Sequence, residues 1–374
     1  MRWLLEDIKS DPDLELQLVV TGSHLAAAFG KTVAEIEEHG FKIDARIDMG
    51  LEDTSKFGLA KSLGRCATLF AETLQQLKPD LLLVLGDRYE LLPICSAALL
   101  LDIPIAHISG GDVTEGAIDD QVRHAVTKMA ALHLVSSQEA AKRVRQMGEE
   151  DWRICLAGGP GMDNLRRLPV LLRQALALDL GLDPAKDWAL MTWHPETKIS
   201  LEDNLQAARH IVEALASQAN LQTLATYANA DHGGSEINQY LEQAARKQSG
   251  NLMVCPSLGQ LRYVNMLREV KFMIGNSSSA IFETPALRLP AINIGNRQKG
   301  RLLTPNIISC GTSLNDINTA IDHLNSPAFK TANQNFDSPY GDGFFAEKAL
   351  SAIKNALAKG NQTLLLKKFV DLEC

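Results

Sequence analysis

Short apolar runs alternate with longer amphipathic stretches along nearly the whole chain, and this alternation restricts the fold more than any other feature. An apolar run too short for a helix, then a helical stretch, then another apolar run is a βα unit. Repeated, such units close only as a parallel sheet with helices on both faces. In the first half, strands are expected at Leu14–Val20, Leu81–Leu85, Pro104–His107, His133–Val135 and Arg153–Leu156. Helices are expected at Thr32–His39, Gly58–Leu77, Leu91–Leu101, Asp119–Ala131 and Gln138–Met147. The run Leu81–Leu85 is apolar throughout, as a strand buried on both faces requires.

At 374 residues the chain is too long for one ordinary core and suits two. Gly158-Gly159-Pro160-Gly161 is a hinge-like break. Beyond it the pattern restarts, with strands expected at Trp188–Thr192, Gln222–Ala225, Leu252–Cys255, Phe272–Ile274 and Ala291–Ile294. The expected architecture is α/β: two Rossmann-like doubly wound domains, 1–162 and 163–345, with a cleft between them for the ligand. A C-terminal helix and tail, 346–374, is expected to pack back on the first domain.

A net charge of −8 lacks the basic stripe that a nucleic-acid binder needs. No apolar run approaches membrane-spanning length, and the start has no signal-peptide character, so a cytoplasmic location without membrane partners is expected. The six cysteines form no CxxC pair and no zinc spacing, and are read as reduced thiols. No metal and no cofactor is expected.

Four strand ends carry candidate chemistry. Gly86-Asp87-Arg88-Tyr89-Glu90 follows the apolar strand; Asp87 is either a helix N-cap or a cleft-facing carboxylate, with Arg88 beside it. His107-Ile108-Ser109-Gly110-Gly111-Asp112 offers two glycines that let backbone approach a ligand. It leads to a helix where Asp119 and Arg123, and likewise Asp120 and His124, share a face. The bland reading of that face is solvated ion pairing; acids, an arginine and two histidines on neighbouring loops favour a site. Thr192-Trp193-His194-Pro195-Glu196-Thr197 places His194 as a phosphate donor, an acid or a plain loop histidine. Finally, Gly275-Asn276-Ser277-Ser278-Ser279-Ala280 opens a helix whose free N–H groups and hydroxyls suit a diphosphate, beyond what one cap needs. Glu283, expected about two turns in, would accept from ribose hydroxyls. Gly295-Asn296-Arg297-Gln298 adds a cation.

These motifs, in this order and over essentially the whole chain, resemble the UDP-N-acetylglucosamine 2-epimerases. Gly110–Thr114 and Arg123-His124 with Thr127-Lys128 resemble the hydrolysing branch that serves sialic-acid-type synthesis. The resemblance implies a glycosyltransferase-B-like fold and release of UDP and N-acetylmannosamine from UDP-N-acetylglucosamine through a 2-acetamidoglucal. It implies a homo-oligomer, dimer or tetramer. By the match Asp87 and Asp119 are acid–base groups, with Arg123 orienting Asp119. Ser277, Ser278, His194 and Arg297 attend the diphosphate, and Arg88, Glu283 and Asn229 join the UDP-binding set. Asn229 and Asp231 match a strand-end motif without a clear role.

Two departures from the family pattern stand out. Ser109 occupies the place of a glutamate found in many hydrolysing members, so either Asp112 substitutes for it, the sugar differs, or activity is impaired. Relatives altered in this loop act on UDP-2,4-diacetamido-2,4,6-trideoxy sugars. The chain also opens inside a helix at Arg2-Trp3-Leu4-Leu5, without the family's first strand and its arginine-bearing loop. An upstream start is therefore expected; a chain that truly starts here would fold and act weakly. The competing readings are a non-hydrolysing epimerase, distinguished by whether free UDP accumulates, a glycosyltransferase needing an acceptor, and an inactive UDP-sugar binder.

Overall fold

A computed structural model describes residues 1–25, 33–53, 55–114, 118–196, 199–229, 233–248 and 250–371. Asp231 and Thr197 lie outside the described residues. The chain forms two compact units, Met1–Pro160 with Phe344–Cys374, and Gly161–Gly343.

In the first unit the chain runs α1 (Arg2–Ser10), β1 (Val19–Thr21), α2 (Val33–Glu38), β2 (Ala45–Ile47), α3 (Lys56–Leu77), β3 (Leu82–Leu85), α4 (Leu91–Leu100), β4 (Ile105–Ile108), α5 (Ile118–Met129), β5 (Leu132–Val135), α6 (Gln138–Gln146) and β6 (Ile154–Leu156). The second unit contains α7 (Asp163–Arg167), α8 (Arg173–Leu180), β7 (Asp187–Thr192), α9 (Leu201–Ala216), β8 (Leu221–Thr226), α10 (Gly234–Lys247), β9 (Leu252–Cys255), α11 (Gly259–Glu269), β10 (Phe272–Gly275), α12 (Ser279–Phe282), β11 (Ala291–Ile294), β12 (Ile307–Cys310), α13 (Leu314–Leu324) and α14 (Pro327–Ala332). The chain then returns to the first unit with α15 (Phe345–Leu357) and α16 (Asn361–Leu365).

The second unit holds one parallel six-stranded sheet ordered β12-β11-β10-β7-β8-β9. From β7 the chain winds outward through β8 and β9, then crosses back to β10 and winds the other way. This is the doubly wound order, and its switch point lies between the carboxyl ends of β7 and β10. Ala189, Met191, Ile211, Ile237 and Ile274 fill one face, and Leu176, Trp188, Leu190, Met266 and Met273 the other.

In the first unit β3-β4-β5-β6 form a parallel four-stranded ladder, while β1 and β2 form a separate parallel pair. The strand expected at Leu14–Val20 is limited to Val19–Thr21. One reason is local: the Leu18 N–H donates to the Asp44 carboxylate (2.8 Å), which holds the chain at the strand's entry. β2 and β12 were not anticipated; one is three residues long and the other carries Ser309 in its run, so neither has a readable period. Leu85 is 39% exposed, contrary to the buried strand expected, because β3 lies at a ladder edge. Two cores cover the faces. Ile47, Phe70, Val84, Ile94 and Ile105 make one; Leu4, Ile8, Ile108, Phe345 and Ile353 make the other. No helix among the described residues is long and apolar enough to cross a membrane.

Candidate active site

The first unit gathers its polar groups at the ends of β3, β4 and β5. Gly86, at φ 81, turns the chain out of β3. Asp87 is not a cap; α4 begins after Glu90 with no side-chain cap. Instead Asp87 Oδ2 receives Nη2 of Arg123, whose side chain is only 6% exposed. The same guanidinium donates to the Asp112 carbonyl (2.9 Å) and Thr114 Oγ1 (3.0 Å), and stands 3.7 Å from Asp120. Arg123 therefore ties the β3 loop, the β4 loop and α5 together. The arginine is drawn inward to Asp87, whereas the half-buried Asp119 lends its negative field to Arg88. Arg88, 60% exposed along its side chain, leans to Glu90 (3.3 Å) and over the Tyr89 ring.

Asp112 accepts from Ser136 Oγ (2.6 Å), which adds the end of β5 to the assembly. Asp120 accepts from the Thr114 N–H (2.7 Å) and approaches His124 (3.5 Å). Ser109 sits at φ 63, an uncommon conformation for a residue with a side chain, and its N–H donates to Leu134. The two glycines after it serve packing in the structure. A Cβ on Gly110 would lie 2.9 Å from both His107 Nδ1 and Thr127 Oγ1, and one on Gly111 would lie 2.4 Å from the Ala140 carbonyl.

His107 stands in the motif but outside the expected site set. It is fully buried on β4, with Nε2 against the Gly86 carbonyl (2.7 Å) and Nδ1 against Thr127 Oγ1 (3.2 Å). Burial pushes its pKa down to about 4, so the ring stays neutral and donates through Nε2 to the loop that carries Asp87.

In the second unit the candidate groups stand at the switch point. β7 and β10 approach so closely that a Cβ on Gly275, at φ 134, would fall 1.9 Å from the Thr192 carbonyl. The next residue, Asn276, is buried and clips the adjoining strand end: it accepts from the His194 N–H (2.7 Å) and donates to the His194 carbonyl (2.8 Å). His194 Nδ1 accepts from the Asn229 N–H (3.0 Å), which leaves the ring proton on Nε2. Asn229 thus acts through its backbone on the β7 histidine.

Ser277 Oγ accepts from the Ser279 N–H (3.3 Å), and the half-buried Ser277 and exposed Ser278 precede α12. That helix is four residues long and passes into a 3-10 turn at Thr284–Leu287, so Glu283 lies about one turn in rather than two. Desolvation raises the Glu283 carboxyl above its ordinary value, against a hydrogen bond from Ser279 that lowers it. Tyr263 in turn holds the Ser279 hydroxyl. Arg297 Nη1 and Gln298 Nε2 both donate to the Asn276 carbonyl (3.3 and 2.9 Å). Glu196, absent from the expected set, accepts from the Asn296 and Arg297 N–H groups (2.8 and 3.3 Å) and so pins that loop beside β7. Its signal was its place in Thr192–Glu196, but a pinning role leaves no mark in spacing.

Two parallel α/β units, one doubly wound with a serine-rich turn and a histidine at its switch point, define the glycosyltransferase-B-like class. The fold of this chain is that of solved structures described as UDP-GlcNAc 2-epimerase from Neisseria meningitidis bound to UDP-GlcNAc (TM-score 0.78, 15% identity, 95% of this chain and 96% of that one). A putative UDP-N-acetylglucosamine 2-epimerase from Listeria monocytogenes is likewise similar (TM-score 0.76, 20% identity, 96% and 93%). The UDP-N-acetylglucosamine 2-epimerase family model matches residues 6–354, and the chain belongs to that family. It is 39% identical to a Campylobacter jejuni GDP/UDP-N,N'-diacetylbacillosamine 2-epimerase (hydrolyzing), over 100% of this chain and 95% of that protein. It is 32% identical to a Legionella pneumophila UDP-N,N'-diacetylbacillosamine 2-epimerase (hydrolyzing), over 95% and 92%.

Proposed function

We propose that this protein is a hydrolysing 2-epimerase that takes a UDP-linked 2,4-diacetamido-2,4,6-trideoxy sugar. The observation that carries the chemistry is the pairing of Asp87 with the buried Arg123, with Asp112 and Asp119 on the adjoining loop and helix. Removal of the weakly acidic C2 proton must accompany cleavage of the C1–O bond. A carboxylate takes that proton, the C1–O electron pair leaves with UDP, and the matching 1,2-unsaturated 2,4-diacetamido sugar remains. Water then adds its hydroxyl to C1 and gives its other proton to a carboxylate, while a carboxylic acid returns a proton to C2 from the face that inverts it. Asp87 and Asp119 share these transfers. Asp112 takes the part of the glutamate that Ser109 replaces.

Charge growing on the departing diphosphate requires donors already in place. Ser277, Ser278, the His194 Nε2–H and Arg297 supply them, Arg88 adds a cation, Asn229 holds His194, and Glu283 accepts from the ribose. The choice of sugar rests on the identity to the Campylobacter and Legionella proteins and on Ser109, which stands where many hydrolysing members carry a glutamate. UDP-N-acetylglucosamine, with N-acetylmannosamine as product, is the second reading. It is favoured by 28% identity to a Neisseria meningitidis UDP-N-acetylglucosamine 2-epimerase over 99% of this chain and 94% of that one.

The experiment is to follow free UDP and released sugar by NMR with each UDP sugar. The diacetamido substrate is expected to exceed UDP-N-acetylglucosamine by about 100-fold in kcat/KM, a factor that discrimination by a few contacts can reach. Asp87→Asn is expected to lower kcat by roughly 10²–10⁴-fold. Equal turnover of both sugars would remove the sugar assignment, and no UDP release by folded protein from either would remove the hydrolytic reading.

A further inference from the structure

Glu283 stands in the switch-point turn with little to hold its charge. It is half-buried, and desolvation raises its carboxyl against two opposing hydrogen bonds, from the Ser279 hydroxyl and from its own N–H. No cation pairs with it among the described residues. A desolvated carboxylate without a counter-ion depends on the hydroxyl and amide donors that reach it. Gly161, on which a Cβ would lie 3.8 Å from Glu283 Oε1, brings no side chain to that oxygen.

Ser279 is not spent on capping. It opens α12, and its own N–H is served by Ser277 Oγ (3.3 Å). Its hydroxyl lies instead between Glu283 and Tyr263. Tyr263 comes from α11, and its ring packs against the apolar core that holds Met266, Met273 and Ile281. In that setting the phenol finds Met273 Sδ at 3.9 Å, a weak acceptor, and Ser279 Oγ, a strong one. Burial and the nearby Glu283 charge push the phenol above its ordinary value, so it keeps its proton and donates. A serine hydroxyl has a single proton. With Tyr263 donating to Ser279, that proton goes to Glu283, so the chain runs one way and each donor polarises the next.

We infer that Tyr263 is a positioning residue for nucleotide recognition: through Ser279 it fixes the orientation and the ionised form of Glu283, the group that reads the ribose hydroxyls. The inference rests on the proposed reading of the switch point as a UDP site and extends it to a residue one step removed from the ligand. Ionised, Glu283 is acceptor-only and can take both ribose hydroxyls; protonated, it offers a donor where the ribose needs an acceptor. Tyr263 therefore sets how strongly the site prefers a ribose diphosphate to one without hydroxyls.

The test is calorimetric titration of the full chain with UDP and with 2′,3′-dideoxy-UDP, which keeps the base and the diphosphate but lacks both hydroxyls. Glu283→Gln is expected to lower the ratio of the two affinities by roughly 10–100-fold, as loss of hydrogen bonds to a charged group does. Tyr263→Phe keeps the ring and removes only the hydroxyl. It is expected to lower the same ratio about tenfold while changing the dideoxy affinity by less than about twofold. Ser279→Ala should match it, and the Tyr263→Phe/Ser279→Ala double variant should lose no more than Ser279→Ala alone, because one chain is cut once. Equal weakening of both nucleotides in Tyr263→Phe would reduce the hydroxyl to a packing role and overturn the inference, as would an unchanged ratio. Either result leaves the ribose reading standing so long as Glu283→Gln lowers the ratio. An unchanged ratio in Glu283→Gln, or no UDP binding by folded wild-type chain, would remove the ribose reading and this inference with it.

Discussion

At the residue scale, the groups that do the holding are less visible in sequence than the groups they hold. Asp87, Asp119 and His194 announced themselves as reactive side chains at strand ends; His107, Glu196 and Asn276 did not. His107 carries a prediction of its own. Its folded pKa, about 4, lies below the ordinary histidine value because burial penalises the charged ring, with His133 and His124 adding repulsion and the Gly86 carbonyl opposing. Between pH 6.5 and 4 the unfolded chain therefore binds a proton that the folded chain refuses. Stability is full above the ordinary value and declines as pH falls through it, at up to about 1.4 kcal/mol per pH unit. His107→Gln keeps an amide to donate to Gly86 and removes the titration. Urea melts at pH 7.0, 5.5 and 4.5 should give a visibly flatter pH profile for this variant; an unchanged profile would show that His107 is not the source. Since the same ring steadies the Asp87 loop, the variant should lower kcat more than it raises KM.

The element scale shows why the switch point of the second unit is so tightly specified. Gly275 ends β10 in a conformation closed to other residues and lets the Thr192 carbonyl come within van der Waals range of its backbone. Asn276 can then reach the His194 backbone in both directions. Gly275→Ala adds a methyl where a carbonyl oxygen already sits, so β7 and β10 must separate. A loss of about 3 kcal/mol or more is expected, in the range of overpacking combined with backbone strain. UDP affinity, followed by calorimetry, should fall with it. A variant of ordinary stability and affinity would mean that the strand ends can part freely. Sequence disclosed the Gly-Asn-Ser-Ser turn here, but not that α12 stops after four residues, because Pro285 permits either a helix start or a break.

For the whole molecule, the return of the chain to the first unit matters most. Arg153, buried at the entry to β6, donates to the carbonyls of Ala131, Thr363, Leu364 and Leu366. Lys367 reaches the Lys128 and Ala130 carbonyls and joins Lys128 and His133 around the buried Glu149. Those contacts hold the Glu149 carboxyl down at about 2 despite its desolvation. Ending the chain after Gly360 would leave Arg153 short of three acceptors and Glu149 short of one cation. Stability of the first unit should drop by roughly 3–5 kcal/mol, the range for breaking a buried charged network. A truncated chain melting within a degree or two of the full one would refute this. The alternating pattern alone determined the α/β class, nearly every strand, and the loops that bear reactive groups, because period and strand-end position are local properties of sequence. Which carboxylate Arg123 chooses, why a side chain at either glycine would clash, and how Arg153 finds a tail some two hundred residues away were decided by tertiary structure. Each depends on which distant backbone comes to lie alongside, and no spacing along the chain encodes that.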